Sequence, residues 1–372
     1  IDFEYPEKCE IRSYKPTTKG NYVQVRRVMA ALEEAEKPLI CIGGGVFAAH
    51  AENEIRELAD LMQIPVITTM MGISVFPDDD QLFCGMIGTH GVKMANAAVN
   101  ECDVLFLVGA RVGDRAVKTP LALEKTTKII HIDIDPAEIG KNIGADLPLV
   151  GDAKLVLQQM TELAKPMKRD EWIAHIKTLG GERKYVEPAK GTVNPRVFID
   201  RLAKKMPANV TVVADVGQNQ IWTCTEYKFR KEGRLLTSGG MGTVGYSVPA
   251  AIGAKMADNS RATVAICGDG AFQMSFMELA TAVQFGVDIK VVVMTNNRLG
   301  MVRELQTNGY HDRQTAVFLD GSPDFIKLAE AYGIPAMRVY DDATMEKGVE
   351  MLAEHKGICL VEVVVDKDMP TL

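Results

Sequence analysis

The sequence predicts an α/β protein made of two doubly wound parallel-sheet domains, and three observations predict it. Strand-like aliphatic runs alternate with helix-like segments along the whole chain, the pattern of parallel sheets. The longest purely aliphatic stretches, such as Val291-Val292-Val293-Met294, are strand-sized, which also excludes a membrane-spanning helix. Between Lys165 and Gly191 the composition changes, with Pro166, Pro188, glycines and many charges around one short helix, as in an interdomain connector. This divides the chain into a domain at 1–165, a linker at 166–191 and a second domain at 192–372. A length of 372 residues, 47% hydrophobic and 24% charged, can support two such cores.

In the first block a Pro/Thr/Lys-rich lead-in, Tyr14 to Lys19, precedes a helix expected from Asn21 to Glu36. A strand over Pro38 to Ile42 runs into Gly43-Gly44-Gly45, and a helix is expected from there to about Met62. Further strands are expected at Ile64 to Thr69, Val104 to Val108 and Lys128 to Ile134. The second block carries strands at Val210 to Ala214, Ala262 to Cys267, Ile289 to Thr295 and Ile358 to Val365. Helices lie between them, including Pro249 to Met256 and Phe276 to Phe285.

Charge and cysteine usage narrow the function classes. Lys+Arg 42 against Asp+Glu 49 gives −7, without a dense basic run, so neither nucleic acid nor an anionic membrane is an expected partner. The seven cysteines are scattered and never spaced C-x-x-C, which suits buried reduced thiols of a cytoplasmic protein better than disulfides or zinc. The 19 methionines read as core filler. The chain starts Ile1-Asp2-Phe3-Glu4, so it is expected to be part of a longer polypeptide, and an upstream targeting segment stays open.

The sharper chemical signal lies in the second block. The strand at 262–267 ends in Gly268-Asp269-Gly270, and after one helix the next strand ends in Asn296-Asn297. A right-handed crossover brings such strands side by side, so Asp269 and Asn296 emerge at the same carboxyl edge, where open α/β sheets bind ligands. One carboxylate and one amide oxygen suit Mg²⁺, with a phosphate completing its octahedron. Either piece alone reads as well as a strand-to-helix turn or a strand-end cap; together, one crossover apart, they favour a cation and diphosphate site. Asp215-Val216-Gly217-Gln218-Asn219 ends another strand, and the glycine-rich loop Ser238 to Pro249 opens a helix, where a cofactor can approach closely.

With these residues the chain resembles the thiamine-diphosphate enzymes, through their G-D-G…N-N motif, and within them the acetohydroxyacid (acetolactate) synthase large subunits. Asn296-Asn297-Arg298-Leu299-Gly300-Met301-Val302, Asp215 to Trp222 and Ser238 to Pro249 carry the likeness, which runs from about Asn21 to Val365. The resemblance implies that Asp269, Asn296 and the Arg298 carbonyl hold Mg²⁺. It implies that Val216, Gly217, Gln218 and Asn219, with Gly268, Gly270, Ala271, Gly300, Met301 and Val302, line the diphosphate. Gly242, Thr243 and Val244 would face the aminopyrimidine, with Val244 and Met301 positioning the cofactor. Val244 replaces a bulkier methionine of many relatives.

The first block is similar to the FAD-binding, Rossmann-like central domain of the same enzymes. Gly43, Gly44 and Gly45 fit G-x-G-x-x-A, which by itself is equally a tight turn, and no acidic residue follows to grip a nicotinamide ribose. The resemblance implies that Gly109, Ala110, Arg111, Arg115, Asp133, Ile134, Asp152 and Ala153 contact FAD, with Thr69, Met70, Gly88, Thr89 and His90 along the flavin. Val112 and Gly113 stand where the family has Phe and Asp, one acidic contact fewer. His131, inside a strand, reads as a packing histidine.

The implied reaction joins two pyruvates to acetolactate and CO₂ in branched-chain amino-acid biosynthesis. The implied assembly is a homodimer or tetramer with a possible regulatory small subunit. The family's catalytic glutamate belongs to an N-terminal pyrimidine-binding domain that nothing here resembles, so this chain alone is expected to be inactive, with no certain catalytic residue of its own. Leu305, where biosynthetic members often have Trp, points to a weak preference for 2-ketobutyrate over pyruvate as acceptor. The alternatives are another thiamine-diphosphate 2-keto-acid decarboxylase or pyruvate oxidase, and a non-catalytic cofactor-binding fragment.

Overall fold

A computed structural model describes residues 2–9, 11–13, 15–181 and 185–372. Ile1, Tyr14 of the lead-in and residues 182–184 of the expected connector lie outside these. Twelve strands form among the described residues: β1 Pro38–Ile42, β2 Val66–Thr68, β3 Phe83–Met86, β4 Val104–Val108, β5 Lys128–Asp133 and β6 Leu147–Val150. The remainder are β7 Thr211–Ala214, β8 Arg234–Thr237, β9 Thr263–Gly268, β10 Lys290–Thr295, β11 Ala336–Val339 and β12 Cys359–Val364. They make two six-stranded sheets, ordered β3-β2-β1-β4-β5-β6 and β11-β12-β10-β9-β7-β8. The two compact units are Ile1–Gly72 with Ala97–Lys177, and Ile73–Asn96 with Thr178–Leu372.

Both sheets are parallel and covered by helices, so their inner strands are apolar without alternation: β1, β4 and β10 are buried at every residue. Each such Val, Ile or Leu contributes about 1.5–3 kcal/mol of burial, which is why these strands were visible in the sequence. β3, β6, β8 and β11 were not anticipated. Each is four residues long and each burial pattern mixes buried with half-buried or exposed positions, so no aliphatic run announces them.

Helix ends follow local chemistry. Asn194 caps the helix Pro195–Lys205 by accepting from Arg196 N at 2.9 Å and Val197 N at 3.4 Å, with Pro195 at its first turn. The single helix expected from Gly45 to Met62 is two, Gly45–Ala48 and Glu52–Met62, because His50 takes a left-handed conformation (φ 51°) between them. Phe276 to Phe285 likewise splits into a 3₁₀ turn, Phe276–Glu278, and the helix Leu279–Gln284.

Within the connector expected at 166–191, the helix Asp170–Thr178 packs on the first unit. Trp172 Nε1 donates to Pro38 O at 3.0 Å, and the Arg169 guanidinium donates to the carbonyls of Leu32 and Met62. Six of the seven cysteines are buried, and all seven are free thiols, as expected. Burial pushes Cys41, Cys102 and Cys224 up to about 12, which leaves them inert as nucleophiles or ligands. No helix among the described residues is long and apolar enough to cross a membrane.

Candidate functional site

In the second unit the strand order reverses direction between β7 and β9: β8 lies on the far side of β7, while β10 and β12 follow β9. Loops leave such neighbours to opposite sides and open a crevice at the carboxyl ends. The register pairs Ala214 with Ile266 and Gly268 with Met294, so the segments that follow β7, β9 and β10 leave the same edge in a short stagger, β9 ending two residues beyond β7 and β10 one beyond β9.

Asp269 occupies the centre of this edge, 2% exposed. Its Oδ1 accepts from Gly270 N at 2.8 Å, and its Oδ2 accepts from Asn296 N at 3.2 Å and Asn297 N at 2.6 Å. Burial pushes its pKa up to about 6, although backbone N–H groups, Asn297 N foremost, pull the other way. A desolvated carboxylate of this kind is short of positive charge, and Oδ1 keeps a lone pair for a ligand. Asn296 supplies a neutral oxygen: its Oδ1 accepts from Arg298 N at 3.1 Å. The Arg298 side chain is turned away, onto Asp320 at 3.0 Å and over the Phe318 ring at 4.6 Å, so only its backbone carbonyl is a candidate donor.

This donor set, one carboxylate with an amide and a carbonyl oxygen, fits Mg²⁺ with phosphate oxygens to complete it. Among the described residues no group of three or more His, Cys, Asp and Glu is arranged for a metal. The Asp269 cluster is of a different kind, with one carboxylate beside neutral oxygens.

Around it, Gln218 and Asn219 open the helix Gln218–Glu226 and are both buried, after Val216 and Gly217. Asn219 Nδ2 ties back to Asp215 O at 2.9 Å and Ile266 O at 3.2 Å, bracing β7 against β9. Gly300 opens the helix Gly300–Gly309, with Met301 half-buried and Val302 exposed in its first turn. A Cβ at Gly300 would lie 1.9 Å from Gln218 Oε1, so only glycine lets that amide lie flat against the backbone. Gly268, Gly270 and Ala271 sit beside Asp269.

The glycine-rich loop is held by a residue whose role the sequence did not announce. Asp215, fully buried, accepts from Val216 N at 2.9 Å, Gly245 N at 3.0 Å and Ser247 N at 2.7 Å. Both ends of this clamp lie on one loop, so the exposed Gly242 and Thr243 and the half-buried Val244 are presented from a fixed base. Glu304 and the segment Met369–Thr371 were also missed. They meet Gln218 Nε2 at 3.3 Å (Glu304 Oε2), 2.9 Å (Met369 O) and 3.2 Å (Thr371 Oγ1). Only the fold brings them there.

In the first unit β1 is the reversal point, flanked by β2 and β4. The carboxyl ends of β2, β1, β4, β5 and β6 therefore gather Thr69 and Met70, Gly43 to Gly45, Gly109 to Arg111, Asp133 and Ile134, and Asp152 and Ala153 along one edge. The glycines have a packing reason of their own. A Cβ at Gly43 would stand 2.1 Å from Gly109 O, and one at Gly45 would stand 2.7 Å from Gly109 Cα. Asp152 is the cap of the helix Ala153–Thr161, accepting from Leu155 N at 3.1 Å. Arg111 and Arg115 are exposed, and His131 is buried, where desolvation lowers its pKa and keeps it neutral. Gly88, Thr89 and His90 belong to the second unit; Gly88 is fixed there by a reciprocal pair of 2.9 Å hydrogen bonds with Asn96.

Two family descriptions match the chain: the central domain of thiamine pyrophosphate enzymes over residues 25–160, and their C-terminal TPP-binding domain over residues 215–363. Each falls on one of the two sheets, and the chain belongs to the thiamine pyrophosphate enzyme family. Within it, the chain is similar to acetolactate synthase large subunits. It is 39% identical to the probable acetolactate synthase large subunit of Methanocaldococcus jannaschii, over 98% of this chain and 64% of that protein. It is 34% identical to the acetolactate synthase isozyme 3 large subunit of Escherichia coli K12, over 98% of this chain and 66% of that protein. It is 38% identical to the large subunit from Mycobacterium tuberculosis, over 98% and 60% respectively. The chain thus spans under two thirds of the length of these relatives.

Proposed function

We propose that this chain is the central and diphosphate-binding portion of an acetolactate synthase, a transferase that converts two pyruvates to acetolactate and CO₂. The observation that carries the reading is the convergence of Asp269, Asn296 and the Arg298 backbone at the reversal point of the second sheet. Likeness to the large subunits over nearly the whole chain supports it. Thiamine diphosphate, when bound, supplies the electron sink for decarboxylation of a 2-keto acid. This chain's residues would do the rest of the holding: Asp269, Asn296 and the Arg298 carbonyl take Mg²⁺, and the start of the helix Gln218–Glu226 faces the diphosphate. Backbone N–H groups and the helix dipole favour the anion there. The loop clamped by Asp215 would present Gly242, Thr243 and Val244 to the pyrimidine side.

In the first unit the gathered edge supports FAD, with Arg111 and Arg115 for its phosphates and Asp133 for a ribose hydroxyl. A regulatory small subunit is proposed because the relatives are named large subunits. Free, buried thiols support a cytoplasmic location. Calorimetry of the chain with thiamine diphosphate and Mg²⁺, followed by pyruvate turnover with product analysis once an N-terminal pyrimidine-binding domain is supplied, tests the reading. Acetolactate supports it, acetaldehyde or acetyl phosphate replaces it with a decarboxylase or oxidase, and absent metal-dependent binding removes it. Leu305, on the helix Gly300–Gly309 and 61% exposed, stands where the resemblance implies a Trp, and the weak preference for 2-ketobutyrate over pyruvate is proposed on that likeness. A competition assay yielding mostly acetohydroxybutyrate would sink that preference.

A further inference from the structure

We propose that Glu304 and the segment Met369–Thr371 act as positioning groups that set, through Gln218, which end of the Asn296 carboxamide faces the metal. The inference rests on the metal-site reading above and deepens it. A carboxamide is nearly symmetric in shape, but only its oxygen can serve a cation. What fixes the choice is the partner of its nitrogen. Asn296 Nδ2 donates to Gln218 Oε1 at 3.3 Å, so the nitrogen end of Asn296 is oriented through Gln218.

Gln218 is fixed from its far end. Its Nε2 faces three acceptors: the Met369 carbonyl at 2.9 Å, Thr371 Oγ1 at 3.2 Å and Glu304 Oε2 at 3.3 Å. A carbonyl and a carboxylate cannot donate, and the Thr371 hydroxyl spends its proton on Glu304 Oε2. Thr371 N also donates to Glu304, at 3.3 and 3.2 Å to its two oxygens. A flipped Gln218 would set its oxygen against all three acceptors in a buried place, so its NH₂ points to the segment and its Oε1 to Asn296. Gly300 keeps the amide flat, since any Cβ there would meet Gln218 Oε1 at 1.9 Å. Orientation thus passes from Glu304 and the Met369 carbonyl to Gln218 to Asn296. The Arg298 N–H holds Asn296 Oδ1 independently, so losing the relay weakens the ligand without abolishing it.

The test uses the full chain with thiamine diphosphate and Mn²⁺ as the probe, reading free Mn²⁺ by electron paramagnetic resonance. Glu304→Ala and, as a second variant with less risk to folding, Thr371→Val are measured in two backgrounds: the parent and Asn296→Asp. An aspartate has two equivalent oxygens and needs no orienting. The expected result is a loss of Mn²⁺ affinity of about tenfold in the parent background, as for other outer-sphere partners, and less than about twofold beside Asn296→Asp. Equal losses in both backgrounds would mean general damage to the site, and no loss in the parent would mean that Asn296 orients itself; either overturns the relay. Parent protein that binds no Mn²⁺ with thiamine diphosphate would instead remove the metal-site reading and the relay together.

Discussion

The two glycine-bearing strand ends of this protein look alike in sequence and differ in what their neighbours leave over. At Gly43 and Gly45 the absent side chains are accounted for by the backbone of Gly109, which a Cβ at Gly43 would meet at 2.1 Å. The turn would need glycine with or without a ligand. At Gly268-Asp269-Gly270 the glycines flank a buried carboxylate that accepts only backbone N–H groups and whose pKa is pushed up to about 6. Packing accounts for Gly43 and Gly45 with or without a ligand, whereas Asp269 in the second motif retains an unmet electrostatic demand. A binding site is better recognised by that demand than by its glycines.

Asp269→Ala is expected to lower Mg²⁺-dependent thiamine diphosphate affinity more than about 100-fold, beyond the ~10–100-fold typical of outer-sphere changes, with melting of the first unit unmoved. Calorimetry at fixed Mg²⁺ reads it, and unchanged affinity would place the cofactor elsewhere. Gly43→Ala is the opposite half. It should destabilise the first unit by about 2–3 kcal/mol through overpacking, seen in thermal melts, while leaving thiamine diphosphate affinity as it was.

Asp215→Asn sharpens the second region. Its new NH₂ would face a backbone N–H, Ser247 N or Gly245 N, and one buried donor loses its acceptor, at a cost of about 2 kcal/mol. Limited proteolysis should then cut faster near Met241, which is 92% exposed. Equal cutting rates would mean the loop is held by something else.

Asp78 gives the smallest and most discriminating effect. Burial pushes it, too, up to about 6, but it sits beside Lys228 and accepts from Phe229 N at 2.9 Å, with no ring of neutral oxygens. Its folded pKa lies above the unfolded value, so the fold binds the proton more tightly and stability falls as pH rises from about 4 to 6, then stays level. Asp78→Asn should therefore be more stable than the parent by about 1–2 kcal/mol at pH 8, the advantage fading as pH falls from about 6 to 4. Denaturation across that range checks it. Mg²⁺ should leave the Asp78 profile unchanged, because a raised carboxylate is not by itself a metal site.

Much of the candidate site was legible before the fold. Asp269 and Asn296 could be placed at one sheet edge because a strand–helix–strand crossover has a fixed hand, and the Gly268↔Met294 pairing brings them within one residue of level. The loop at 238–249 was legible as glycines ahead of a helix. What could not be read was its clamp: Asp215 looks like any polar residue after a strand until Gly245 N and Ser247 N are found on it, 30 and 32 residues away. Glu304 and Thr371 are 67 residues apart, and no periodicity links them.

The sequence by itself determined the two-sheet α/β architecture, its long strands and the residues that end them. Continuous aliphatic runs and strand-end turns are local properties, enforced by burial and by backbone sterics. Tertiary structure alone decided the short edge strands β3, β6, β8 and β11 and the packing of Asp170–Thr178 on the first unit. It alone decided which acceptors surround Gln218. Those depend on which buried donors and carbonyls are left without partners once the core has closed, a quantity that no stretch of sequence contains.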